Sequence, residues 1–144
     1  MPFAPIPEIV ADIHAGRMVV IVDDEDRENE GDLIMAAEYA TSDAVAFMIR
    51  HTSGIICVPM EELRLAELAL PQMVPNNADA YRTAFTVSVD YRFGTTTGVS
   101  SDDRAATIRA LAAPGSGAQD FARPGHIFPL RAQPGGVLTR AGHT

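Results

Sequence analysis

Two apolar runs, residues 18–22 (Met-Val-Val-Ile-Val) and 33–37, flank ten consecutive residues, Asp23-Asp24-Glu25-Asp26-Arg27-Glu28-Asn29-Glu30-Gly31-Asp32. Short apolar runs rich in branched side chains predict buried strands. A ten-residue link is too short for a helical crossover, so the pair is predicted antiparallel. Thr41-Ser42-Asp43 then supplies a cap for a helix to about residue 50, with Val45, Met48 and Ile49 on one face. Residues 55–58 predict a further short strand, Pro59 opens a brief helix over 61–70, and 71–79 reads as a loop. Phe85, Val87 and Val89 alternate with Thr86, Ser88 and Asp90, the period-two pattern of a strand with one polar face. A helix over about 102–112 follows. Residues 114–136 are rich in Pro and Gly, broken only by Ile127-Phe128-Pro129-Leu130; the interleaved Arg123, His126 and Arg131 favour a packed loop system over a flexible tether. The expected class is α/β of the α+β type, a mixed sheet flanked by helices in one domain.

Composition narrows the chemistry. The 144 residues are 47% hydrophobic, enough for a real core. Seven of the nineteen acidic residues lie in the acidic run, so the net charge of -8 is mostly local. A pI near 4.8 gives no basic footprint for nucleic acid. No apolar stretch approaches membrane-spanning length, and the start lacks the charge and apolar core of a signal peptide, so the cytoplasm is the expected compartment. Cys57, alone and set in Ile55-Ile56-Cys57-Val58, is expected to be a small core residue. All eleven basic residues are arginine. Without lysine there is no Schiff base, pyridoxal-phosphate chemistry or Walker loop, and any phosphate must be held by Arg, hydroxyls and backbone amides.

Carboxylates confined between two buried strands repel and call for a cation. The spacing Asp26, Glu28, Glu30, Gly31 imitates half an EF-hand, but its twelfth position falls on Ala37 and the flanks are not helical, which rejects that reading. A divalent cation with a small substrate fits better. Arg123-Pro124-Gly125-His126 and Arg140-Ala141-Gly142-His143-Thr144 each place an arginine near a histidine beside a glycine. Together with the acidic run they offer carboxylate and imidazole to a hard cation, guanidinium to phosphate, and groups for proton transfer. The stretch Thr95-Thr96-Thr97-Gly98-Val99-Ser100-Ser101 before the later helix leaves two readings open, an anion on free amides or an ordinary Ser cap.

Four segments, the acidic run, Thr96-Thr97-Gly98-Val99-Ser100, Arg123-Pro124-Gly125-His126, and Gly135-Gly136-Val137-Leu138-Thr139-Arg140-Ala141-Gly142-His143-Thr144, resemble in order and spacing the signatures of 3,4-dihydroxy-2-butanone 4-phosphate synthases. The resemblance covers essentially the whole chain. It implies a lyase of riboflavin biosynthesis that turns D-ribulose 5-phosphate into the four-carbon phosphate and formate, with Mg2+ as cofactor; an imidazole ligand, unusual for magnesium, would let Mn2+ substitute. It also implies a homodimer with active sites at the subunit interface, and no nucleic-acid or membrane partner. Carried across, it makes Glu28 and His143 the metal ligands and Glu30, Asp32 and His126 catalytic. Arg27, Glu28, Asp32, Thr97, Arg140, Ala141, Gly142, His143 and Thr144 would lie on the substrate. The family pattern runs on past Gly-His-Thr to a late glutamate, so residues 1–144 are expected to be a synthase domain lacking its C-terminal part, with turnover in doubt. The alternative is a catalytically silent domain that binds a metal and a phosphosugar; the same groups would also serve an isomerase or lyase acting on another phosphosugar.

Overall fold

The computed structural model describes residues 3–143. Helix α1 (Ile6–His14) precedes a ribbon of β1 (Val19–Val22) and β2 (Gly31–Ile34), antiparallel with Val19 opposite Ile34 and Val22 opposite Gly31. Helix α2 (Ser42–His51) starts where predicted: the Thr41 hydroxyl accepts the Ala44 N–H, and Val45 and Met48 are buried. Strand β3 (Cys57–Met60), helix α3 (Glu62–Glu67), strand β4 (Val89–Tyr91), helix α4 (Ser101–Ala112) and strand β5 (Phe121–Arg131) complete the main elements. A three-stranded sheet in the order β3-β5-β4 pairs β3 parallel and β4 antiparallel to β5, so the fold is mixed α/β as expected. Its core joins Val45, Leu68, Val89, Leu111 and Ile127, all almost fully buried.

The structure departs from the sequence reading in several places. The residue 33–37 run enters its strand at Gly31 and ends it at Ile34, after which 37–39 form a short 3-10 turn. Strand β3 sits two residues later than predicted and contains Pro59, which an edge strand tolerates because one side of its backbone needs no partner. Helix α1, with Pro5 at its N-cap, was not read from the sequence at all.

The main difference is β5. The Pro/Gly-rich stretch expected to be packed loops supplies the central strand, eleven residues long. Two neighbours pin it: Phe128 N–H bonds to Ile56 O, and the Pro129 carbonyl accepts from Thr86 N–H, so its prolines cost the sheet little. That pairing also overturns the predicted polar face. Thr86 and Ser88 are buried because Thr86 Oγ1 donates to Pro129 O at 3.1 Å and Ser88 Oγ accepts from Gly125 N–H at 3.1 Å. The choice left open before α4 falls to the ordinary cap: Ser100 Oγ accepts from Asp103 N–H at 3.0 Å.

Candidate active site

The acidic run folds back on its first residue. Asp23, just past the end of β1, accepts Glu30 N–H on Oδ1 (2.8 Å), and Glu28 N–H (3.1 Å) and the Arg27 guanidinium (2.7 Å) on Oδ2. Its side chain is only 5% exposed. Burial pushes this carboxyl up, but the Glu30 N–H, the Arg27 guanidinium, the Glu28 N–H and nearby His143 outweigh burial and hold it at about 2. Arg27 also bonds Glu28 Oε2 at 2.6 Å, and Asn29 adopts the left-handed conformation that lets the loop close. A loop of repelling acids is thus held by one guanidinium and by backbone donors.

The chain returns to this loop at its far end. His143, with a side chain 8% exposed, sets Nδ1 3.0 Å from Asp32 Oδ2 and Nε2 3.9 Å from Asp23 Oδ1. That Nε2 is buried and, among the described residues, has no hydrogen-bond partner. One ligand atom from each of Asp23, Glu28 and His143 lies within 4.8 Å of the others. Two carboxylates and one imidazole, with Asp32 beside the other ring nitrogen to fix its tautomer, fit a divalent cation that takes few protein ligands. Beside Gly142 the guanidiniums of Arg27 and Arg140 crowd in: a Cβ there would stand 2.8 Å from Arg140 Nη1 and 3.1 Å from Arg27 Nη2. Next to the cluster a cavity of about 620 Å³ is lined by Glu30, Asp32, Met48, Cys57, Ile108 and His143, among others.

The predicted site residues therefore separate into two groups. Arg27, Glu28, Asp32, Arg140, Gly142 and His143 come together, and Glu30 stands at the cavity wall with an exposed side chain. Ala141 is exposed beside them, and Thr144 lies outside the described residues. Among the described residues, His126 and Thr97 share no hydrogen bond or ion pair with that group. His126 N–H and Nδ1 bond the two oxygens of Asp90, each at 2.8 Å, and its side chain is 43% exposed. Thr97 is exposed on the adjoining loop, where Gly98 packs against Asp90. Cys57 is corrected in position: it is half-buried on the cavity wall, not in the core, and burial together with the Asp32 charge pushes its thiol to about 11.

Asp23 and Asp90 escaped the sequence reading. Asp23 is one of seven acids in the run, and only its place at the end of β1 distinguishes it; Asp90 closes the alternating stretch that was read as a strand with a polar face.

Comparison with known proteins identifies the family. A riboflavin biosynthesis protein RibBA of Rhodococcus jostii is 61% identical over 142 residues, covering 99% of this chain and 34% of that protein. The chain thus spans about a third of that relative. The 3,4-dihydroxy-2-butanone 4-phosphate synthase of Agrobacterium fabrum is 56% identical over 144 residues, all of this chain and 68% of its own length. A crystal structure of such a synthase in complex with two magnesium ions superposes with a TM-score of 0.96 at 53% identity, covering 98% of this chain and 66% of that one. Residues 7–144 match the 3,4-dihydroxy-2-butanone 4-phosphate synthase family, so the chain belongs to it.

Proposed function

We propose that the protein converts D-ribulose 5-phosphate into 3,4-dihydroxy-2-butanone 4-phosphate and formate for riboflavin biosynthesis, with magnesium held by Glu28 and His143 and manganese able to replace it. The observation that carries this reading is the buried Nε2 of His143, without a hydrogen-bond partner among the described residues and facing Asp23 and Glu28. A buried nitrogen without a partner costs about 1–3 kcal/mol, a cost that a bound cation removes. A relative solved with two magnesium ions adds support.

Magnesium, when bound there, supplies the positive charge that acidifies the carbon-bound proton beside the ketone. The chain's own groups do the rest. Asp32 fixes the His143 ring, and Arg27 keeps the Asp23 and Glu28 carboxylates in place. Arg140, which makes no ion pair among the described residues, offers its guanidinium to the phosphate, next to Ala141 and Gly142, and Thr144 is assigned to the substrate as well. Glu30, which lines the cavity, takes a proton in this reading. His126 has no bond to this cluster among the described residues; its ring is held on Nδ1 by Asp90, leaving Nε2 to exchange a proton, and in this reading it serves the site of the second subunit in a homodimer. Thr97, exposed next to Gly98 beside Asp90, joins His126 in serving the second subunit's site. The substrate and the dimer are part of this proposal, as is the assignment of residues 1–144 to one synthase domain.

Magnesium is expected to bind weakly alone and more tightly with ribulose 5-phosphate, since it keeps open positions for substrate oxygens. Glu28→Gln and His143→Ala should each abolish that coupling in titration calorimetry. Unchanged coupling in both variants would remove the metal assignment. Coupled binding without formate release would favour the alternative, a silent domain that binds metal and phosphosugar.

A further inference from the structure

The segment 77–83, whose first three residues end the expected loop 71–79, is braced by its own side chains. Asn77 Nδ2 donates to Thr83 O and Asp79 N–H to Asn77 Oδ1, both at 2.9 Å. Asp79 Oδ2 accepts Thr83 N–H at 2.9 Å and Tyr81 N–H at 3.2 Å. So held, the loop delivers one residue to both guanidiniums of the site. The Arg27 guanidinium carbon lies 5.1 Å from the centroid of the Tyr81 ring. The Tyr81 hydroxyl donates to Arg27 O at 3.3 Å, and Arg140 Nη2 donates to the Tyr81 carbonyl at 2.8 Å. Gly142 presses on the same two guanidiniums from its own side.

Two guanidiniums side by side repel, and in a free chain each long side chain would be mobile. Arg27 is partly neutralised by Asp23 and Glu28, whereas Arg140 has no carboxylate among the described residues and relies on a carbonyl that only the braced loop places. An anion arriving between them is met by charges already in position, so little ordering entropy is lost on binding. We propose that Tyr81 is a positioning residue for the phosphorylated end of the substrate, its ring face and backbone carbonyl holding Arg27 and Arg140 as a preformed pair. This rests on the proposed function and adds to it the residue that sets phosphate affinity.

The test compares Tyr81→Phe, Tyr81→Leu and Tyr81→Ala with the wild-type protein, using Arg140→Lys as the reference for a lost two-point grip. Steady-state formate release from ribulose 5-phosphate, calorimetry with inorganic phosphate, and thermal melting are read for each. The Leu and Ala variants should raise KM and weaken phosphate binding by about tenfold, within the range of a partly desolvated cation–π contact. Their kcat should stay within about twofold, because the ring touches no reacting atom. Phe, which keeps the ring face, should stay within about threefold of wild type in KM. Should Ala lower the melting temperature, Leu, which keeps the bulk without the π face, decides. A folded Leu variant with wild-type KM, or Phe as impaired as Ala, or a fall in kcat at constant KM, overturns the proposal. If Arg140→Lys is impaired while Leu is not, this inference alone falls; if the wild-type protein binds no phosphate and releases no formate, the proposed function falls and takes the inference with it.

Discussion

Asp90 is where two motifs distant in sequence meet. Its carboxylate is bonded twice by His126, while Gly98 and Gly125 close over it: a Cβ at Gly98 would stand 2.0 Å from Asp90 Oδ2, and one at Gly125 would stand 2.0 Å from the Val89 carbonyl carbon. That packing explains why both segments need glycine in front of their functional neighbours. If His126 transfers protons, His126→Ala should lower turnover by about 100-fold or more with little change in substrate binding. Steady-state kinetics beside calorimetry check it, and full turnover in the variant removes His126 from the mechanism. Cys57, with its thiol pushed to about 11, stays protonated near neutral pH and is no nucleophile. Cys57→Ser is expected to keep the chemistry, with melting changed only modestly because the side chain is half-buried on the cavity wall. Loss of formate release in that variant would place the thiol in the mechanism. The types of residue in the site were legible from sequence because the motifs that carry them are local. Asp23, Asp90 and Tyr81 were not, since each acts through a partner that only folding brings near.

At the scale of elements, α4 shows how a helix start becomes structural. Asp103 is buried at its first turn, where its Oδ2 accepts Thr96 Oγ1 (2.8 Å), Thr96 N–H (3.1 Å) and Gly98 N–H (2.9 Å). The Thr96 hydroxyl bond holds its carboxyl below the ordinary 3.8, outweighing burial, with the Gly98 and Thr96 N–H groups helping. Asp79 and Asp23 are depressed as well, Asp23 to about 2. A carboxylate whose folded pKa lies below its unfolded value adds stability that is present above the unfolded value and lost as pH falls through the folded one. Melting temperature should therefore drop as pH falls from about 4 toward about 2, and Asp103→Asn should both lower it at neutral pH and flatten that dependence. An unchanged slope in the variant would rule out Asp103 as a contributor. Helix α2 was legible because its cap and its apolar face are written within ten residues. Strand β5 was not, because its prolines and glycines are ordinary loop signals and only pairing with β3 and β4 makes them a strand.

For the whole molecule, His126 bonds Asp90 and, among the described residues, has no bond to the Glu28–His143 cluster. If each site takes His126 from one subunit and the acidic loop from the other, His126→Ala and Glu28→Gln are each inactive alone. Mixed and reassembled at equal amounts, they should recover about a quarter of wild-type formate release, since half the random dimers carry one intact site. No recovery, with dimers shown by sedimentation, would place both residues in the same site. No helix among the described residues is long and apolar enough to cross a membrane. By itself the sequence determined the mixed α/β class, the antiparallel β1–β2 ribbon, the helices α2 and α4 and the residue types of the site, because periodicity, capping and motif spacing act over a few residues. Tertiary structure alone decided which acid of seven closes the loop, that His143 returns to it with a buried nitrogen that has no partner among the described residues, that Tyr81 joins two arginines, and that a Pro/Gly-rich stretch is the central strand. Those outcomes depend on contacts between residues far apart in the chain, and such contacts leave no local pattern to read.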